Sequence, residues 1–274
     1  MIKPMLAQKI NEDKIDWSAA VYMQPKLDGV RCMFTKNGAF SRTGRQFKNV
    51  AHIEEDLKSF FQQYPTKILD GELYNHELKN DFEKIISLVR KLKPTKQHRE
   101  DAKNLMQYHV YDYVSSESYG IRHANLICSD IYNEHIKYVE TLKMKNIARA
   151  RRQHDRFLSR GYEGSILRLD KKYVSRRSWH LMKFKDFSDA EATITGWEEG
   201  KGKRVNTLGK FIMTDDEGNV FGCPPGRGYT YADLRVIMEN IHDYIGKQAT
   251  FTYFERTKAG SYRHPLFKGL RNYE

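Results

Sequence analysis

Lys26-Leu27-Asp28-Gly29-Val30-Arg31 places a lysine, an acid and an arginine around one glycine, directly after the strand-like run Ala20-Val21-Tyr22-Met23-Gln24. A lysine amine attacks an electrophile only when it is neutral, and an unperturbed pKa near ~10.4 leaves about one molecule in a thousand neutral at pH 7. Nearby cations, a metal ion or desolvation would each disfavour the ammonium form. The stretch predicts a nucleophilic Lys26 if the rest of the chain supplies such groups; alone, it also fits a strand followed by a solvated Asp-Gly turn.

The composition favours a polyanionic partner. The 274 residues include 47 Lys and Arg against 35 Asp and Glu, a formal net charge of +12. Basic side chains that neutralise phosphates release condensed counterions, so nucleic acid is favoured over the alternative of a basic protein with no such partner. The odd number and wide spacing of the cysteines argue against a disulfide framework or a zinc site; they are Cys32, Cys128 and Cys223.

Nothing in the sequence indicates a membrane or secretory protein. No apolar run approaches the ~20 residues needed to span a bilayer. Pro4 and nearby charges interrupt the N-terminal segment, which therefore lacks the apolar core of a signal peptide. We expect a cytoplasmic protein, or one in the host cytoplasm if the source is viral, with no membrane partner. We also expect a monomer, and no partner protein is evident.

Strands and helices alternate irregularly over residues 1–188, which is typical of an α+β domain. Alternation and turn residues predict strands over 30–34, 67–74, 108–114, 162–169 and 179–185. Apolar residues at helical spacing predict helices over 50–64, 81–93 and 129–160. Asn80 is the predicted cap of the second helix and Gly161 the C-terminal cap of the third. The polar segment 93–103, which contains Pro94, is predicted to be a loop.

The pattern changes after residue 188. One helix is predicted near 230–242, together with five strands over 190–197, 208–214, 219–223, 248–255 and 265–271. This count fits a small β-barrel of the OB-fold type, whose usual ligands are oligonucleotides. We therefore expect two domains, residues 1–188 and residues 189–274.

Five arginines lie on one predicted helix and form a basic face, namely Arg149, Arg151, Arg152, Arg156 and Arg160. Such a face is commonly only solvated. On a protein with this net charge, a surface that contacts phosphates is an equally good interpretation.

Six short motifs follow one another along the chain, and each has a structural explanation when it is taken alone. They are Lys26-x-Asp-Gly-x-Arg31, Ser41-Arg42-Thr43-Gly44, Asp70-Gly71-Glu72, Tyr111-Asp112, Glu163-Gly164 and Lys183-Phe184-Lys185. The ordered series resembles the covalent nucleotidyltransferase superfamily and, most closely, the ATP-dependent DNA ligases. The resemblance covers essentially the whole chain. It implies a nucleotidyltransferase domain with ATP-grasp-like antiparallel sheets and helices, followed by an OB-fold domain.

The resemblance also implies a reaction. Lys26 would attack the α-phosphorus of ATP, release pyrophosphate and carry AMP as a phosphoramidate. The AMP would pass to the 5′-phosphate at a nick in double-stranded DNA, and the neighbouring 3′-hydroxyl would then displace it. Because negative charge accumulates in such in-line transfers, cations are needed around the line of attack. Lys183 and Lys185 would supply them.

The remaining candidate residues divide by what the resemblance implies they bind. Besides the three lysines, the nucleotide would contact Gln24, Arg31, Glu72, Tyr111, Glu163 and Arg271. Mg²⁺, or Mn²⁺ in its place, would be held by Glu163, Asp28 and Glu72, since Mg²⁺ prefers one or two carboxylates with waters and phosphate oxygens. The nicked DNA would contact Arg42, Arg45, Lys201, Lys203 and Arg204. Structural roles stay open for single residues, such as a turn cap for Asp112 or a core position for Tyr111.

The sequence departs from the family pattern in two places. Only 25 residues precede Lys26, so we expect a minimal ligase without the N-terminal DNA-binding domain of larger members. The family's last motif, Arg-x-Asp-Lys, has only the partial match Arg271-Asn272-Tyr273-Glu274. The core motifs also occur in RNA ligases and in mRNA capping enzymes, which take GTP. A catalytically silent nucleic-acid-binding protein is an alternative of another class.

Overall fold

The structure, a computed structural model, describes residues 3–79, 81–184, 188–226, 228–254, 256 and 260–271. The chain divides into two compact units, Met1–Lys185 and Asp186–Glu274. Within the described residues, the first unit contains two five-stranded sheets and the second unit contains one. No helix in these ranges combines the length and the apolar character that crossing a membrane requires.

The first unit mixes strands and helices, as an α+β domain does. Its strands are β1 (Leu6–Lys9), β2 (Val21–Lys26), β3 (Val30–Thr35), β4 (Gly38–Phe40), β5 (Leu69–Tyr74), β6 (Gln107–Tyr113), β7 (Ile136–Tyr138), β8 (Leu142–Met144), β9 (Gly164–Leu169) and β10 (Arg177–Phe184). Its helices are α1 (Ala51–Asp56), α2 (Lys58–Gln63), α3 (Phe82–Val89), α4 (Lys96–Leu105), α5 (Tyr119–Ile127) and α6 (Ile147–Ser159).

The first sheet has the strand order β1-β10-β9-β2-β8. Successive side chains of a strand point to opposite faces, and here the two faces have different roles. Val21, Met23 and Leu167 pack against Ala150 and Phe157 of α6. On the other face, residues of β2, β9 and β10 line a cavity, among them Gln24, Lys26, Ile166, Arg168 and Lys183. Helix α6 therefore covers the face of the sheet that is opposite the cavity.

The second sheet has the order β4-β3-β5-β6-β7 and divides its faces in the same way. Phe34, Leu69 and Leu73 lie in a core shared with residues of the helices that cover this sheet, including Ile53 and Leu88. The alternate residues of β3, β5 and β6 line the cavity, namely Arg31, Glu72 and Tyr111. The cavity thus lies between the polar faces of two sheets, each with a helical layer behind it.

Several predicted helix bounds were wrong. The helix predicted over 50–64 is broken at Leu57 into α1 and α2. The helix predicted over 81–93 is limited to α3, and Asp81 caps it by accepting a hydrogen bond from the Lys84 N–H. Asn80, the predicted cap, lies outside the described residues. The predicted loop over 93–103 contains α4, because Thr95 and His98 form a reciprocal capping box directly after Pro94.

The helix predicted over 129–160 was wrong over its first half. The short strands β7 and β8 occupy part of that range, and α6 begins only after Asn146, whose side chain accepts a hydrogen bond from the Arg149 N–H. The predicted C-terminal cap is confirmed, because Gly161 has φ +83. Its N–H donates to Leu158 O and the Tyr162 N–H donates to Phe157 O, which is a Schellman pattern. Helix α5 was not predicted.

Among its described residues, the second unit contains five strands and one α-helix, as predicted. They are β11 (Ser188–Glu199), β12 (Leu208–Thr214), β13 (Val220–Cys223), α7 (Tyr231–Glu239), β14 (Gln248–Tyr253) and β15 (Leu266–Leu270). The sheet order is β13-β12-β11-β14-β15. The Gly226 N–H donates to Phe267 O and the Phe267 N–H donates to Pro224 O. These bonds join the segment after β13 to β15, so the two edges of the sheet meet, as in an OB-fold barrel.

Candidate active site

Lys26 ends β2 and lies opposite Gly164, the first residue of β9. The Glu163 N–H donates to Lys26 O, so the backbone pairing fixes Glu163 beside Lys26. The Lys26 amine donates to the Glu163 carboxylate in an ion pair whose side chains are 25% and 6% exposed. A half-buried amine is thereby held at the wall of the cavity next to a nearly buried acid.

The glycine of the Lys26 motif is required by a close approach of two strands. A Cβ on Gly29 would lie 2.4 Å from Leu73 O and 2.8 Å from Cγ of Glu72. Such contacts are too short for real Cβ atoms. Gly29 therefore lets the turn after Lys26 pass directly over β5, which brings Lys26 and Glu72 to the same cavity. Asp28 lies half-buried in this turn.

Asp70 anchors Arg31 on the second sheet. The Arg31 guanidinium donates from Nε to Asp70 Oδ1 at 2.9 Å and from Nη2 to Oδ2 at 2.6 Å. The Tyr173 hydroxyl donates to the same Oδ2 at 2.7 Å, and the Asp70 side chain is fully buried. The bidentate pair fixes the orientation of Arg31 at the cavity wall. The sequence did not assign a role to Asp70 or Tyr173.

Glu72 is the neighbouring acid on the same face of β5. Burial raises the pKa of the Glu72 carboxyl to about 8, although the positive charges of Lys26 and Arg31 oppose the rise. The negative charge of Glu163 acts in the same direction as burial. The Tyr111 hydroxyl lies 3.4 Å from Glu72 Oε2 and donates to it. Two carboxyl groups therefore lie within electrostatic reach of each other and of Lys26.

Tyr111 is the extra residue of a β-bulge. Asp70 pairs with Asp112 and Gly71 pairs with Val110, so Tyr111 has no partner in the β5–β6 ladder. A bulge redirects side chains and is common beside active sites. The guanidinium carbons of Arg31 and Arg168 lie 5.8 and 5.1 Å from the centre of the Tyr111 ring. Both guanidinium groups are therefore within cation–π distance of the ring.

A buried ion network supports the floor of the cavity. Arg122 donates to both carboxylate oxygens of Asp112, at 2.7 and 3.0 Å. Arg168 donates to Asp112 Oδ2 at 2.7 Å and to Gln24 Oε1 at 2.6 Å. The Gln24 amide donates to the hydroxyls of Tyr119 and Thr141, at 2.9 Å each. Gln24 is therefore positioned by the protein itself, and Asp112 holds two arginines rather than capping a turn.

Most of the predicted nucleotide-binding residues line one cavity of about 290 Å³. This volume is near the lower end of ligand pockets, which run from about 300 to 1,000 Å³. The predicted residues that line it are Gln24, Lys26, Arg31, Glu72, Tyr111, Lys183 and Arg42. Arg42 and Arg45 also line a neighbouring groove of about 580 Å³, which shares Arg31 and Glu72 with the cavity.

The other predicted residues have different positions. Lys185 lies outside the described residues. Lys201 and Lys203 are exposed, and Arg204 is half-buried and donates to Leu208 O at 3.3 Å. These three residues and Arg271 belong to the second unit, in which Arg271 forms an ion pair with Glu191.

Within the described ranges, no group of three or more His, Cys, Asp or Glu side chains is arranged to hold a metal ion. Mg²⁺ does not require such a group, because it is commonly bound by one or two carboxylates together with waters and substrate phosphates. Glu72 lines the cavity and Glu163 is paired with Lys26 at its wall, so these two acids would be the carboxylates for such an ion.

Arg168 is the main site residue that the sequence left unassigned. It is a charged residue inside the apolar run Ile166-Leu167-Arg168-Leu169, and only 3% of it is exposed. A charge in a buried strand is rare unless it is paired, and that signal could have identified it.

Two family models match the chain. The model for the ATP dependent DNA ligase domain matches residues 4–185, and the model for the DNA ligase OB-like domain matches residues 199–271. The DNA ligase of African swine fever virus (strain Badajoz 1971 Vero-adapted) is 25% identical over 309 residues, which cover 97% of this chain and 70% of the viral protein. The DNA ligase of Haemophilus influenzae is 23% identical over 201 residues, which cover 72% of this chain and 69% of that protein.

Solved DNA ligases share the fold. A Lig E DNA ligase superposes with a TM-score of 0.82 at 23% identity and covers 99% of this chain and 100% of its own. Chlorella virus DNA ligase-adenylate superposes with a TM-score of 0.53 at 27% identity and covers 100% of this chain and 99% of its own. The model for the ATP dependent DNA ligase domain matches most of the chain, including every residue that lines the cavity. The protein therefore belongs to the family of ATP-dependent DNA ligases.

Proposed function

We propose that the protein seals nicks with a 5′-phosphate and a 3′-hydroxyl in duplex DNA through a Lys26-AMP intermediate. One observation carries the proposal. Two sheets bring Lys26, Glu72, Tyr111 and Lys183, which are far apart in the sequence, to the wall of a single cavity. A ligase needs a nucleophile, a nucleotide pocket and cations at one place, and this cavity supplies all three.

In the first step the Lys26 nitrogen attacks the α-phosphorus of ATP, and the bond to the bridging oxygen of pyrophosphate breaks. Lys183 lines the same cavity, and with Lys185 it stabilises the negative charge that develops on the phosphate oxygens. Tyr111 stacks on the adenine, and Glu72 and Arg31 contact the ribose. Arg271 orients the leaving pyrophosphate.

In the second and third steps the cavity faces DNA. The 5′-phosphate at the nick takes the AMP from Lys26, and the 3′-hydroxyl then attacks that activated phosphate and releases AMP. Arg42 and Arg45 hold the 5′-phosphate, since both line the groove that adjoins the cavity. Mg²⁺, held by Glu163 with Asp28 and Glu72, or Mn²⁺ in its place, would neutralise charge on the reacting phosphates.

The two units divide the work in this proposal. Residues 1–188 form the adenylation domain, and residues 189–274 form the OB-fold domain. Lys201, Lys203 and Arg204 contact the DNA backbone from the second domain, and the protein acts as a monomer.

The test is a labelling experiment with ATP that carries the label on either the α- or the γ-phosphate. We expect the α-label to stay on the protein through denaturing electrophoresis and the γ-label to be lost with pyrophosphate. Lys26→Ala should abolish the adduct, and Lys36→Ala, which removes an exposed lysine of the β3–β4 turn, should keep it. An adduct on the Lys26→Ala variant would refute the assignment. An adduct formed from GTP in place of ATP would favour a capping enzyme.

A further inference from the structure

Helix α6 carries a basic surface that the ligase reaction does not use. Its buried residues are Ala150, His154 and Phe157, and they face the side of the first sheet that is opposite the cavity. The outer surface of α6 is therefore directed away from the place where Lys26 reacts.

The five arginines of this helix region differ in their partners. Arg151 forms an ion pair with Glu12, and Arg160 forms an ion pair with Glu140. Arg149, Arg152 and Arg156 are exposed. In the described part of the chain, no acid forms a hydrogen bond or an ion pair with any of these three. We call Arg149, Arg152 and Arg156 the arginine stripe.

The arginine stripe is unfavourable for the helix itself. Its members are three and four residues apart, so they are neighbours on one face, and like charges at this spacing destabilise a helix. Arg149 also lies in the first turn, which contains no acid, and a cation there opposes the helix dipole. Arg156, in the last turn, is the member of the stripe that the dipole favours. Neither the buried face of α6 nor the cavity uses these arginines, and a partner with negative charge would offset the repulsion among them.

The stripe has the dimensions of a phosphate-binding surface. Seven residues of α-helix rise about 10.5 Å. Duplex DNA carries one negative charge per ~1.7 Å of its axis when both strands are counted, so a duplex segment as long as the stripe carries about six phosphate charges. Guanidinium groups bind phosphate oxygens with paired N–H donors. Contacts of these arginines to the phosphate backbone would not depend on the DNA sequence, because phosphate contacts do not read the bases.

We propose that the arginine stripe is an accessory binding surface for the backbone of intact duplex DNA, separate from the cavity. It would hold the protein on DNA without regard to sequence before the cavity engages a nick. A short nicked duplex bound at the cavity does not extend to the opposite face of the sheet. The stripe therefore contributes to sealing only on long DNA. This inference rests on the proposed function in one respect, namely that the polyanion is DNA.

The first test measures binding of an intact duplex of several helical turns across a series of salt concentrations. The stripe variant is Arg149→Gln/Arg152→Gln/Arg156→Gln. The matched control also removes three positive charges, by Arg151→Gln, Arg160→Gln and Lys36→Gln. Each phosphate contact contributes about 0.9 to the slope of log K against log salt, so the stripe variant should lose up to about 2.7 of that slope. The control should keep the wild-type slope.

The second test measures sealing. For the stripe variant we expect a raised KM on a long singly nicked DNA, an unchanged KM on a short nicked duplex, and an unchanged kcat on both. Labelling of Lys26 by ATP should be unchanged, which also shows that the variant is folded. Equal salt slopes for wild type and stripe variant, or an equal loss in the control, would overturn the proposal. If ATP did not label the wild-type protein, the proposed function would be refuted. The binding of intact duplex DNA by wild type and stripe variant would still decide whether the stripe binds DNA.

Discussion

Asp112 holds two buried arginines, so its removal should strongly destabilise the first unit. Its side chain is 0% exposed, and the two arginines it holds, Arg122 and Arg168, are 1% and 4% exposed. Three guanidinium hydrogen bonds converge on its carboxylate, at 2.7, 2.7 and 3.0 Å. Asp112→Ala would leave two buried cations without their acid. Breaking a buried ion pair by removing one partner costs about 3–5 kcal/mol, a large part of the about 5–15 kcal/mol that stabilises a typical domain.

The measurement is urea unfolding followed by tryptophan fluorescence. Trp17 and Trp179 lie in the first unit and Trp197 lies in the second, so a Trp197→Phe background makes the signal specific to the first unit. In that background we expect Asp112→Ala to lower the free energy of unfolding by about 3–5 kcal/mol.

The matched control is Glu12→Ala, which breaks the exposed pair with Arg151, whose side chains are 44% and 60% exposed. Exposed pairs contribute at most about 1 kcal/mol, so the control should stay within that limit. If Asp112→Ala cost no more than Glu12→Ala, the buried network would not support the cavity floor as we argue.

Two further predictions concern residues next to Lys26. Gly29→Ala should lower the free energy of unfolding by about 1–3 kcal/mol, because the added Cβ meets backbone and side-chain atoms of β5 and overpacking has this cost. Gly269→Ala, whose Cβ would have nothing within 4 Å, is the control, and equal effects of the two would contradict the close-approach argument. The second prediction follows from burial, which raises the pKa of Glu72 from 4.5 to about 8. Between pH 4.5 and pH 8, Glu72 is protonated in the folded protein but ionised in the unfolded chain. The free energy of unfolding of the wild type therefore falls as the pH rises through this range. Glu72→Gln has no such titration, so the free energy of unfolding of the variant relative to wild type should increase from pH 4.5 to pH 8. If the difference in free energy of unfolding between variant and wild type did not change with pH, Glu72 would not be buried as an acid.

The sequence predicted the elements whose signals are local. The strands β3, β5, β6 and β9, and the five strands and helix of the second unit, follow from alternation and turn residues. The same holds for the C-terminal cap at Gly161, where a positive φ favours glycine. These features depend on a few neighbouring residues.

The missed elements depend on distant partners or on an unusual cap. Strands β7 and β8 are three residues long and exist because they pair with β6 and β2. Helix α4 has only Ala102 as a buried residue, so it has almost no apolar pattern, and its start is marked by a histidine in the capping box. Neither signal is visible in hydrophobic periodicity.

The candidate site was predictable to the same extent. The motif order identified Lys26, Glu72, Tyr111 and Lys183, and the structure brings all four to one cavity. The network that joins Asp112, Arg122 and Arg168 was not predictable, because its members lie on three different elements. Only the folded chain shows that Asp112 binds two arginines, or that Asp70 accepts hydrogen bonds from Arg31 and Tyr173.

The most direct test of the central claim uses the labelled protein itself. The Lys26 adduct is freed of ATP and mixed with an excess of nicked duplex DNA, so that each protein molecule can react only once. We expect the label to leave the protein, to appear briefly on the 5′-phosphate of the nick, and to be released as AMP while one strand is joined for each label lost. A label that stays on the protein, or that is released without a joined strand, would contradict it.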